Sequence, residues 1–153
     1  MKSIARLAFV AMLAMACSLP VRAADAKGSP EEAIALVKKA VTLIKEQGAE
    51  KAYAEISNPK GAFVDRDLYA FVFDTKAIVL AHGANAKLIK KDLSELRDAD
   101  GKYFLKALIE LANTKGKGWV DYKWLNPTTK AIEQKSTYIE KVGDVIVGCG
   151  IYK

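Results

Sequence analysis

Tyr69, Phe71 and Phe73 alternate along one short apolar run. Trp119 and the triplet Tyr122-Lys123-Trp124 lie on a second run, and Tyr138 lies on a third. Alternation places the first three rings on one face of a strand. His82 and Lys135 are the polar groups that fall beside this set. An apolar, aromatic surface with a few convergent polar groups has the composition of a small-molecule pocket. The same rings would also fill a core. Burial alone accounts for Phe71, Phe73 and Trp119. A buried phenol or indole, as at Tyr69, Tyr122, Trp124 and Tyr138, needs a hydrogen-bond partner, which either a ligand or a neighbouring residue supplies.

Other chemistries find little support. His82 is the single histidine, and the two cysteines are Cys17 and Cys149, so a Cys/His zinc site and a c-type haem attachment have no ligands. Asp98-Ala99-Asp100-Gly101 lacks the third acidic position and the bidentate Glu of a calcium loop, and Leu105 and Leu108 follow it. It reads as a turn capping the next helix. Gly116-Lys117-Gly118 is too short for a phosphate loop, and no Ser/His/Asp or paired-carboxylate arrangement is present locally. Cys149, between Gly148 and Gly150, reads as a small buried side chain. A binding protein without catalytic residues, metal or cofactor is therefore expected, with Glu, Lys or Tyr chemistry as the residual route to an enzyme.

The elements that must position these residues follow from the periodicity. Ser29-Pro30-Glu31-Glu32 is a helix start with a capping box, and Ile34, Val37, Val41 and Ile44 recur at helical spacing until Gly48. A shorter helix over about 50–57 follows. Residues 67–74 and 78–82 read as strands about a turn at Thr75-Lys76-Ala77, and residues 102–114 as a second amphipathic helix. Residues 119–125, 132–142 and 145–152 then form an antiparallel meander turned at Asn126-Pro127 and Gly143-Asp144. Five strands with helices early and in the middle give an α+β domain with an antiparallel sheet.

The chain opens with Lys2 and Arg6, the uncharged run Leu7–Leu19, and Val21-Arg22-Ala23. That is a secretory signal peptide over residues 1–23, with cleavage expected after Ala23 and a single domain over residues 24–153. A lipoprotein variant at Cys17 would need a better lipobox than Leu13-Ala14-Met15-Ala16. The leader carries Lys2, Arg6 and Arg22 and no acid, so half of the formal charge of +6 belongs to it. The remainder is mildly basic without a block of like charge. This retains an attraction for small anions and argues against a nucleic-acid partner. No later run approaches the length of a membrane span, so the mature chain is expected to lack a transmembrane segment.

Several fragments in order then resemble one family. They are Tyr69-Ala70-Phe71-Val72-Phe73-Asp74, Ala81-His82-Gly83-Ala84-Asn85, Asp98-Ala99-Asp100-Gly101-Lys102, Gly116 through Pro127, Lys135-Ser136-Thr137-Tyr138, and Val147-Gly148-Cys149-Gly150-Ile151-Tyr152. Together they are similar to the single Cache domain, type 2, the PAS-like extracytoplasmic sensor module of bacterial receptors, from about Ser29 to Lys153. The resemblance implies a long N-terminal helix packed on a five-stranded antiparallel sheet, and a sheet pocket that takes small molecules, often short-chain carboxylates. Mapped onto this chain, it implies Lys135 as the partner of a carboxylate. His82, Tyr122 and Tyr138 become hydrogen-bond donors, with Tyr69 and Trp124 as walls. Gly83 stands where the family often has Pro, and Ala77 where it often has Gly, which alters loop geometry.

Typical members sit between two transmembrane helices, whereas a leader followed by a lone domain resembles the free-standing periplasmic form. The expectation is a periplasmic protein that binds a small organic anion and signals through a separate membrane receptor or other periplasmic partner. The alternative is a ligand-independent interaction protein that acts on a membrane sensor or self-associates.

Overall fold

The computed structural model describes residues 27–153, so the expected signal peptide and its cleavage point lie outside the described residues. Helix α1 (Pro30–Gln47) starts as its sequence dictates. Ser29 Oγ accepts from the Glu32 N–H at 3.2 Å, and the Glu32 carboxylate accepts from the Ser29 N–H at 2.8 Å. Helix α2 (Ala49–Ile56) follows directly. Strands β1 (Val64–Asp65), β2 (Leu68–Asp74) and β3 (Val79–His82) come next. A single 3-10 turn (Ala86–Leu88) and helix α3 (Phe104–Lys115) lead into β4 (Lys117–Leu125), β5 (Ile132–Val142) and β6 (Val145–Tyr152). Gly116 stops α3 in the left-handed conformation at φ 75°, its N–H donating to the Ala112 carbonyl.

The sheet runs β1-β2-β6-β5-β4, with β3 on the same edge of β2 as β1, and every pairing is antiparallel. The five expected strands are present. The two-residue β1 adds to them; Val64-Asp65 is too short to carry a period. Strand β2 sits between neighbours and is buried on both faces. Leu68, Ala70 and Val72 join the core under α1, whose buried stripe is Ala33, Val37, Ala40 and Val41. Tyr69, Phe71 and Phe73 point the other way, into a second core roofed by Phe104, Leu105 and Leu108 of α3. Small residues therefore meet the long helix and large rings meet the short one, and the volume left between those rings is where a site forms.

Two expectations change. The turn at Asp98 does not cap α3, whose N-cap is Tyr103. The Asp98 carboxylate instead accepts from Lys102 N–H and Asp100 N–H within the turn, and from Lys123 N–H on β4 at 3.0 Å. Trp119 is 37% exposed, because it lies on the face of β4 that α3 does not cover. Its ring packs 5.3 Å from that of Tyr138 instead of filling a core.

Candidate functional site

Lys135 is 0% exposed, on β5, which is paired on both edges by β4 and β6. It reaches from β5 across β6 to β2, where Nζ donates to Tyr69 Oη at 2.6 Å. The ammonium position lies 4.1 Å from the Tyr69 ring centroid, 4.9 Å from that of Tyr152 and 5.7 Å from that of Phe71. Among the described residues no carboxylate pairs with it. Loss of hydration is the main reason its amine is pulled from 10.5 down to about 7.

The hydroxyls around it form a directed chain. Tyr152 Oη donates to the Leu125 carbonyl at 2.8 Å, which uses its one proton. The 3.2 Å contact between Tyr69 Oη and Tyr152 Oη is therefore donated by Tyr69. The order runs from Lys135 to Tyr69, then Tyr152, then the Leu125 carbonyl. Tyr122 Oη bonds Thr137 Oγ1 at 2.9 Å. Burial holds all three phenols above their ordinary range, so each stays protonated and neutral.

His82 ends β3 opposite Phe71. Its Nδ1 accepts from two backbone N–H groups, Asn85 at 2.9 Å and Ala84 at 3.2 Å. That fixes the neutral tautomer with the proton on Nε2, which has no hydrogen-bond partner among the described residues. Burial, and then the charge of Lys135, depress its pKa to about 3. At neutral pH His82 is a donor through Nε2 and carries no charge.

Between these groups lies a cavity of about 30 Å³. Tyr69, His82, Tyr122, Trp124 and Lys135 line it together with Phe71 and Phe73. Val79, Leu93, Phe104 and Leu105 close the rest. Phe104 stacks on Tyr122 at 4.5 Å and meets Trp124 at 5.1 Å, so the first turn of α3 forms the lid side. At ~10–15 Å³ for a water-sized group, the cavity takes two or three such groups, about the size of a carboxylate head. A more open chamber of about 150 Å³ adjoins it, sharing Tyr69, His82 and Trp124 and reaching Asn85, Pro127 and Lys130.

Five of the six expected site residues thus meet around one space. Tyr138 does not. It stands three residues from Lys135 on a regular strand, so it faces the α1 core, where its hydroxyl donates to Glu140 at 2.8 Å. It takes no part in the site. The residues missed were Tyr152 and the α3 contacts. Tyr152 reaches the site only because β6 inserts between β2 and β5, a pairing of distant segments that local spacing does not reveal.

The glycines flanking Cys149 make the site possible. A Cβ at Gly150 would stand 2.2 Å from Lys135 Cε, and one at Gly148 would stand 2.7 Å from the Phe71 ring. Gly150 is the saddle over which the lysine crosses β6, while Cys149 itself is buried on the other face. Replacing Gly150 with Ala is expected to push the amine off Tyr69 and return its titration toward the ordinary lysine range. Carbon-13 NMR of labelled lysine reads this, and a Lys135 titration unchanged near 7 would contradict it.

A helix-flanked antiparallel sheet that closes a small aromatic cavity over a buried lysine is the build of a PAS-like ligand-binding domain. Residues 11–153 match the family described as Single Cache domain 2, and the chain belongs to that family. Over 90 residues it is 34% identical to the methyl-accepting chemotaxis protein McpP of Pseudomonas putida strain KT2440; the match covers 58% of this chain and 16% of that receptor. The chain therefore spans a small part of that relative's length. A solved periplasmic sensor domain of a chemotaxis protein is 30% identical with a TM-score of 0.64, over 78% of this chain and 91% of that one. A Cache chemosensory domain, solved as a structural basis for carboxylic acid recognition, shares the fold at 24% identity and a TM-score of 0.71, over 80% of this chain and 91% of that one. The protein is a Cache sensor domain related to the ligand-binding domains of chemoreceptors. Among the described residues no helix is long and apolar enough to cross a membrane.

Proposed function

We propose that this domain captures a short organic acid in the periplasm and reports it through a separate partner, a membrane receptor or another periplasmic protein. One observation carries the reading: a lysine with no exposed surface, and with no carboxylate paired to it among the described residues, forms part of the wall of a small aromatic cavity. Burying an amine without a counter-charge is costly, and a ligand carboxylate supplies the missing partner. Its second oxygen meets the Nε2–H of His82 or the hydroxyl of Tyr122, and Tyr69, Trp124 and Phe104 enclose the carbon chain. The recognition of carboxylic acids on the same fold supports this reading.

The test is a thermal-shift screen of two- to four-carbon acids against their amides and against amino acids. An acid at about a hundred times its dissociation constant stabilises the fold by ~2.7 kcal/mol, a rise of several degrees for one domain. Amides, lacking the charge, are expected to shift nothing; an equal response to amides would remove Lys135 from its role. Export rests on the leader sequence. N-terminal sequencing of periplasmic material is expected to begin at or beside Ala24, and a start at Met1 would refute it.

A further inference from the structure

We infer that the site takes up its acid together with a proton, so that the species captured is the undissociated acid in charge and composition. This rests on the carboxylate reading above and adds to it. The surroundings of the amine are the reason. Lys135 Nζ gives one hydrogen bond to a neutral phenol and otherwise faces rings.

The titratable groups in direct contact with it offer no counter-charge. From β2 and β6 come Tyr69, Tyr152 and Cys149; the phenols are neutral donors and burial pushes the thiol up to about 12. From β4 comes Tyr122, directly across the strand pair, and from β3 comes His82, locked neutral by two N–H groups on Nδ1. Helix α3 brings Phe104 and Leu105, which do not titrate. Asp67, ahead of β2, is the acid whose field reaches the amine. Its Oδ1 is held by the Gly28 N–H at 2.8 Å, and it forms no ion pair with Lys135.

An ammonium alone in this space is a buried unpaired charge, and so is a carboxylate arriving beside a neutral amine. One proton removes both problems. The amine lone pair of Lys135 binds H⁺, the new N–H bonds face the carboxylate, and the sum is amine plus anion plus proton giving an ion pair of zero net charge. The amine's depressed titration agrees with this, because the empty site then holds mostly neutral amine above about pH 7. Above that point each unit of pH is expected to weaken the apparent affinity up to tenfold, and below it the affinity levels off.

Calorimetric titration of the full domain with sodium propionate, in buffers of different ionisation enthalpy, counts the protons. Uptake close to one proton is expected at about pH 8 and well under half at about pH 6. Binding with a heat independent of buffer and an affinity independent of pH would overturn the inference while leaving the carboxylate reading in place. No binding of any short acid at about pH 6 would overturn both. Lys135→Arg keeps a permanent cation, and its binding is expected to lose the proton uptake. Uptake undiminished in that variant would take the proton away from Lys135, and the wild-type titration decides the question even if the variant fails to fold.

Discussion

Replacing Lys135 with Met is expected to make the ligand-free domain more stable at neutral pH, by a few kcal/mol. The folded state lowers this amine from 10.5 to about 7, chiefly by desolvation. At about 1.4 kcal/mol per unit of pH, that sets an upper bound on the order of 5 kcal/mol. The unfolded chain binds the proton more tightly, so stability rises with pH from the folded value toward the unfolded one. Below about 7 the penalty is fully present. Cys149, raised from 9.0 to about 12 mainly by burial, acts in the opposite sense above 9. The window between 7 and 9 is therefore where Lys135 dominates, and wild type is expected to gain on the order of 3 kcal/mol across it. His82, lowered from 6.5, exerts its effect below that window. Denaturant melts of both proteins at the two ends of the window check this. A flat wild-type profile, or a variant less stable than wild type at neutral pH, would mean that the lysine is a structural element.

The same substitution is expected to abolish most of the binding energy for a short acid. Removing one member of a buried charge pair costs ~2–5 kcal/mol, which is about thirty- to four-thousandfold in the dissociation constant. The two effects have opposite signs, and that opposition separates a site residue from a scaffold residue. A stabilised variant that binds nothing fits the account. A variant that binds propionate as wild type does, by calorimetry near neutral pH, would place the carboxylate elsewhere.

How much of this could be read in the chain differs by element. The capping box at Ser29, the α1 stripe through Val37 and Val41, and the last three strands were legible because each rests on local spacing. Tyr69, Tyr122, Trp124, His82 and Lys135 were legible as a set, through residue type and family resemblance. Tyr138 falls outside the set by the two-residue period of its own strand, since an odd separation from Lys135 puts it on the other face. Ring size alone points Trp119 to the core, but it lies on the face of β4 turned away from α3 and stays 37% exposed. Tyr152, Gly150 and Phe104 could not be placed at the site from local spacing. Their roles depend on β6 lying between β2 and β5 and on where α3 lands, both set by contacts between segments far apart in the chain.

A structure of the domain with propionate tests the central claim most directly. The account predicts the carboxylate inside the cavity, one oxygen at about 2.8 Å from Lys135 Nζ and its carbons against Trp124 and Phe104. His82 Nε2 or Tyr122 Oη would be within hydrogen-bond distance of the other oxygen. A carboxylate bound elsewhere on the domain, with Lys135 still held only by Tyr69, would contradict it.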